Sequence, residues 1–281
     1  MTMLVLGPVL FTLFVWWFST GVILYLDGLP RRTFKVTLGA ATLLLALALL
    51  GLYATRDDTR ITGAYLAFTC GVVVWAWQEI AFLLGAVTGS RREPLPPGTE
   101  GWPRLRYALQ AVLHHELALV VLFAAVLAVT WGGENPVGLW TYVILWVMRQ
   151  SAKLNIFLGV RNLNEGFLPP HLAYLQTYFR RAPGNSLFPL SVIASTIVAV
   201  LLWQAAFADG VGDAEATGLV FAATLLSLAV LEHWFLVLPL PSERLWDWGL
   251  RSRRLNRAEP RDGLEPHPAV VVAPIASPPR H

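Results

Sequence analysis

Eight ionisable side chains stand inside otherwise apolar stretches of this 281-residue chain: Glu79; His114, His115 and Glu116; Arg149 and Lys153; Glu232 and His233. Charged groups cost about 2.5–3.5 kcal/mol each at the centre of a membrane helix, so they must meet one another, a ligand or water. Three chemistries fit these residue types. Glu79, Glu116 and Glu232 could neutralise Arg149, Lys153 and a histidine, and so lock a bundle together. Glu79, His115, Glu116, Glu232 and His233 could instead ligate zinc or iron, as carboxylate and His sets do in di-iron bundles. The usual Glu-x-x-His spacing is absent, however; the pairs here are adjacent (His115–Glu116, Glu232–His233) and point about 100° apart on a helix. Third, a neutral imidazole of His114 or His115 could be the axial ligand of a pigment or porphyrin, among 12 Trp, 14 Phe and 7 Tyr.

The elements that position these groups are membrane helices. The chain is 56% hydrophobic and 14% charged, with mean hydropathy +0.56, where soluble domains carry about 25% charged residues. Its apolar residues fall in blocks near the ~20 needed to span hydrocarbon: Met3–Leu26, Val36–Ala54, Ile61–Thr88, Tyr107–Trp131, Val137–Leu158, Leu187–Phe207 and Ala216–Leu240. The expected fold is therefore all-α, a polytopic bundle of about seven transmembrane helices. The first block lacks a basic n-region and is broken by Trp16, Trp17 and Phe18, so it reads as a retained helix. Placed on these helices, the eight ionisable groups share one layer in the half nearer the basic loops.

Charge sets the orientation. Arg31, Arg32, Lys35, Arg91, Arg92, Arg104, Arg106, Arg161, Arg180, Arg181 and the arginines after residue 243 follow odd-numbered helices or, for Arg104 and Arg106, precede the fourth. The opposite side holds Arg56 and Arg60 beside Asp57 and Asp58. This bias predicts an N-terminus outside and a C-terminus in the cytoplasm. No basic stretch interleaved with aromatics suggests nucleic acid, and the single Cys70 excludes a disulfide framework.

Residues 1–241 read as the seven-helix transmembrane domain and 242–281 as a basic cytoplasmic tail, its first part (Ser242–Arg257) a surface helix and its Pro-rich distal part disordered. Between helices five and six, residues 159–186 read as an interfacial segment, with an amphipathic helix over His171–Arg181. The cytoplasmic end of helix five is dense in polar groups: Ser151, Asn155, Arg161, Asn162, Asn164 and Glu165. Ser151, Asn155 and Asn162 would share a face if the helix continued, as glue between helices or as a hold on a ligand. No P-loop, dinucleotide fingerprint, G-x-S-x-G or HExxH is present.

The segments STGVILYLDGL (Ser19–Leu29), HHEL (His114–Leu117) and SAKLNIFLGVRNLNE (Ser151–Glu165) resemble the photosynthetic complex assembly protein 2 family, PuhE, over most of the membrane part. The resemblance implies a multi-pass protein of the bacterial inner (photosynthetic) membrane. It would help to assemble the reaction centre and core light-harvesting complex by lateral binding of helices or bacteriochlorophyll. Partners would be reaction-centre and core-antenna subunits or pigment-synthesis proteins. It carries over no catalytic residue. Two alternatives stay open beside it: a metal-dependent, di-iron-like enzyme acting on a tetrapyrrole or another lipophilic substrate, and a small-molecule or proton transporter.

Overall fold

The computed structural model describes residues 2–258. Seven long helices run α1 (Thr2–Asp27), α2 (Phe34–Thr55), α3 (Ile61–Leu83), α4 (Gly101–Thr130), α5 (Val137–Leu158), α6 (Leu187–Ala206) and α7 (Asp213–Phe235), followed by a short α8 (Asp247–Ala258). Six of them, all but α5 and α8, are long and apolar enough to cross a membrane. The protein is a multi-pass membrane helix bundle.

α5 is too polar to qualify by composition, yet its contacts run from one end of the bundle to the other. Near its start, the Asn135 side chain donates to Thr55 O at the end of α2. At its far end, Arg104 of α4 donates to the Phe157 carbonyl at 2.7 Å and stacks over the Phe157 ring. An arginine on the last turn of α5 satisfies a carbonyl that the helix leaves free and complements its dipole. Gly159, at φ +128°, ends the helix. Asn185 then ties α5 to α6: its amide nitrogen donates to Asn155 O and Gly159 O, and its oxygen accepts from the N–H groups of Leu187 and Phe188.

α3 and α7 form the centre, with 56% of each span buried against 17–22% for α1, α2, α4 and α6. Phe68 and Phe221 stack between them at 4.4 Å, with Phe11 of α1 closing the cluster. α3 meets α5 where a Cβ on Gly71 would come within 2.9 Å of Gly138 O, the close approach that small residues allow between membrane helices. Tyr142, fully buried, donates to Leu119 O at 2.9 Å and binds α5 to α4.

Several expected boundaries move. α3 stops at Leu83 rather than Thr88 because Gly85, at φ +76°, turns the chain. Residues 88–91 then lie against α4, with Thr88 O accepting from His115 N–H and Gln110 O from Arg91 N–H. α7 ends at Phe235 rather than Leu240, ahead of Pro239 and Pro241. The expected amphipathic helix over His171–Arg181 is a 3-10 segment, Pro170–Tyr178. It faces inward: Leu172, Leu175 and Tyr178 pack on Phe82, Leu83 and Ala111.

The segment from Ser242 packs on the bundle, and its helix α8 covers most of the expected Ser242–Arg257 surface stretch. α8 lies along α1, with Trp246 Nε1 donating to Trp17 O and Ser252 Oγ to Tyr25 O. Arg253 holds Asp27 through two 2.7 Å bonds and also donates to Gly166 O and Phe167 O. A Cβ on Gly21 would fall 2.0 Å from the Trp248 ring, so α8 seats only because that position is glycine. The expected distal disorder concerns residues outside those described.

Candidate functional site

α5 is a polar hub. Within seven residues it sends side chains to four neighbouring helices. Arg149 pairs with Glu79 of α3, Nε to Oε1 at 3.3 Å. Lys153 Nζ lies 2.6 Å from Glu116 Oε1 of α4, and Gln150 donates to the other oxygen of the same carboxylate. Ser151 meets His233 of α7 at 2.9 Å, and Asn155 donates to Ser191 Oγ of α6 at 3.1 Å. The helix rotates about 100° per residue. That places Arg149, Gln150 and Lys153 within about 100° of arc toward α3 and α4. Ser151 and Asn155 take the other side, toward α7 and α6.

The structure therefore resolves the expected cluster into pairs. Glu232 accepts from Trp16 Nε1 at 2.8 Å, while its neighbour His233 turns to Ser151. His233 Nδ1 lies 2.9 Å from Ala229 O; a carbonyl only accepts, so Nδ1 carries a proton, and Nε2 shares the second hydrogen bond with the Ser151 hydroxyl. His115 is buried against the Phe82 ring at 4.4 Å, and its Nδ1 has no partner. His114 does not join the cluster: it is exposed on the outer face of α4. Among the described residues no three His, Cys, Asp or Glu side chains group as a metal-holding set. The five candidate ligands Glu79, His115, Glu116, Glu232 and His233 stand apart in separate contacts.

Two cavities flank this hub. A partly open pocket of about 300 Å³ lies among α1, α3, α5 and α7, with Glu79, Arg149, Glu232 and His233 in its wall and Trp16, Trp75 and Trp246 around them. A second, of about 1670 Å³, is a cleft between α5 and α6 with α7 behind it. It exists because α6 packs along α7 and barely touches α5. Its walls combine Val143, Val147 and Ser151 of α5, Ser191, Ala194, Ser195 and Val198 of α6, and Gly218 and Ala222 of α7. Met148 lines both cavities, and the Ser151–His233 bond has one partner in each.

The family described as "Protein of unknown function (DUF3623)" matches residues 1–257. The chain belongs to DUF3623. A relative in Rhodobacter capsulatus, the "Uncharacterized 30.4 kDa protein in puhA 5'region", is 41% identical over 247 residues, covering 86% of this chain and 89% of the relative. No solved structure matches.

For this DUF3623 chain, the polar segment after Ser151 proves to be a connector. Because α5 stops at Leu158, Asn162 leaves the face it was expected to share with Ser151 and Asn155. It donates instead to the Phe235 and Leu238 carbonyls at the end of α7. Asn164, in the left-handed region at φ 51°, accepts from Ser242. Glu165 pairs with Arg181 at 3.3 Å, and Arg161 O accepts from the same arginine. Sequence reasoning missed the Asp27–Arg253 pair. Its only signal was an acid closing an apolar helix and an arginine-rich amphipathic stretch more than two hundred residues later.

Proposed function

We propose that the protein is an integral-membrane assembly factor for the photosynthetic reaction centre and core light-harvesting complex, holding a transmembrane helix of a client subunit in the α5–α6 cleft. The cleft carries this reading. Its volume of about 1670 Å³ equals about three turns of a helix 10–12 Å across. Gly218, Ala222, Ser191, Ala194 and Ser195 line it, small residues of the kind that let membrane helices approach closely. The kinship with a protein of the puhA 5' region, puhA being a photosynthesis gene, supports the client class. The protein then resides in the photosynthetic membrane with its arginine-rich end in the cytoplasm. The polar hub holds α5 in place as one wall of the cleft.

The test is complementation in the phototrophic host lacking this gene. Ala194→Trp fills the cleft from an exposed position and leaves the hub untouched. The variant accumulates like the wild type but fails to restore reaction-centre and core-antenna absorbance. Full restoration by a normally accumulating Ala194→Trp protein overturns the assignment.

A further inference from the structure

We infer that His114 is an axial ligand offered to the bilayer for a metallo-tetrapyrrole. The residue lies eight positions beyond Arg106 on α4, about 12 Å farther along the axis, inside the apolar part of the span. It is exposed there, and among the described residues no group bonds to it. An ionisable side chain facing hydrocarbon without a partner is costly and marks a functional position.

The other described histidines offer nothing comparable. His233 has both ring nitrogens engaged, His115 is buried under Phe82, and His171 bonds to Leu83 O. Among the described histidines, His114 alone is exposed on a membrane-spanning helix with no bonded partner.

The surroundings select the occupant. Leu113 and Leu117 stand beside His114 on α4, and Val121 lies two turns on along the same face; they are 41%, 53% and 65% exposed. A free divalent cation needs several protein ligands, and no metal-holding group of His, Cys, Asp or Glu forms among the described residues. A partner helix favours small residues that allow close backbone approach, whereas the exposed residues near His114, Leu113, Leu117 and Val121, are bulky and aliphatic. A flat apolar macrocycle meets each condition. Its equatorial nitrogens already neutralise the metal, its face rests on Leu and Val, and one axial position accepts a neutral imidazole. The inference rests on the assembly reading only for the source of such a ring, and it uses a different face from the α5–α6 cleft.

The test is titration of the full-length protein in detergent with zinc octaethylporphyrin, a neutral lipophilic porphyrin, following the absorbance shift of axial ligation. The wild type binds near one equivalent with a red shift, and the metal-free porphyrin binds at least tenfold more weakly. His114→Leu, a lipid-facing change that keeps the fold, weakens metalloporphyrin binding at least tenfold. His114→Gly loses the shift and regains it with added imidazole. Equal binding by His114→Leu, or equal binding of the metal-free ring, overturns the inference. So does a His114→Leu protein that binds porphyrin normally but loses a co-purifying membrane subunit, since the imidazole then serves a helix. Ala194→Trp keeps porphyrin binding, so failure at the cleft and failure at His114 are read separately.

Discussion

The Ser151 hydroxyl lies 2.9 Å from His233 Nε2, and this bond joins the wall of the smaller pocket to that of the lateral cleft. Ser151→Ala leaves a buried imidazole nitrogen unpaired, at a cost of about 1–3 kcal/mol. The midpoint of thermal unfolding in detergent falls accordingly. Ser151→Thr, which keeps the hydroxyl, retains most of the wild-type stability. An unchanged midpoint in Ser151→Ala contradicts the role given to this bond.

Lys153 and Glu116 hold α5 to α4 at 2.6 Å, each side chain keeping 25% of its surface. Removing one partner of a fully buried pair costs about 3–5 kcal/mol, and replacing both by apolar groups is often neutral; the residual exposure puts this pair below that range. Glu116→Ala therefore depletes the protein from the membrane, and Glu116→Leu with Lys153→Met restores its level. Normal accumulation of Glu116→Ala with lost function shows that the residue serves a bound ligand or client rather than the bundle.

The α8 strap depends on the buried Arg253–Asp27 pair and on the open place above Gly21. Arg253→Ala strands the Asp27 carboxylate and frees the Gly166 and Phe167 carbonyls. Gly21→Leu drives a side chain into Trp248. Either change detaches α8, read as protease cleavage after Arg251 or Arg254 at least tenfold faster than in the wild type. Equal cleavage rates show that α8 is held by other means.

His171 gives the connector a pH dependence. Burial, reinforced by Arg31 and Arg253, holds it below its ordinary 6.5, although the bond to Leu83 O opposes that shift. With the folded value lowered, the unfolded chain takes up the proton first as pH falls. The stabilisation is full above about pH 6.5 and drains away as pH drops below it toward the folded value. Urea unfolding in detergent at pH 7.5, 6.5 and 5.5 records the decline, and His171→Leu flattens it. An unaltered slope in that variant assigns the dependence elsewhere.

Much of this was legible in the sequence. Block length and hydropathy gave the helices, and rise per residue put Glu79, Glu116, Arg149, Lys153, Glu232 and His233 at one level. Partner choice was hidden, because depth does not report rotation about the axis. His114 and His115 share a level, yet one faces outward and the other lies under Phe82. Glu232 and His233 are adjacent, yet one turns to α1 and the other to α5. The cleft was invisible for a different reason: it arises from α6 leaning on α7 rather than α5, a tertiary packing preference that no local pattern records. Gly21 became meaningful only once Trp248 was seen above it.

A photo-crosslinking residue at Val198, exposed in the cleft wall, reports whether a client helix enters the α5–α6 cleft. Irradiated in membranes of the phototrophic host, it yields a discrete adduct with a reaction-centre or core-antenna subunit, and the same probe at Leu190, exposed outside the cleft lining, does not. Adducts with lipid alone at Val198, or the same protein adduct from both positions, show that no client helix occupies the cleft.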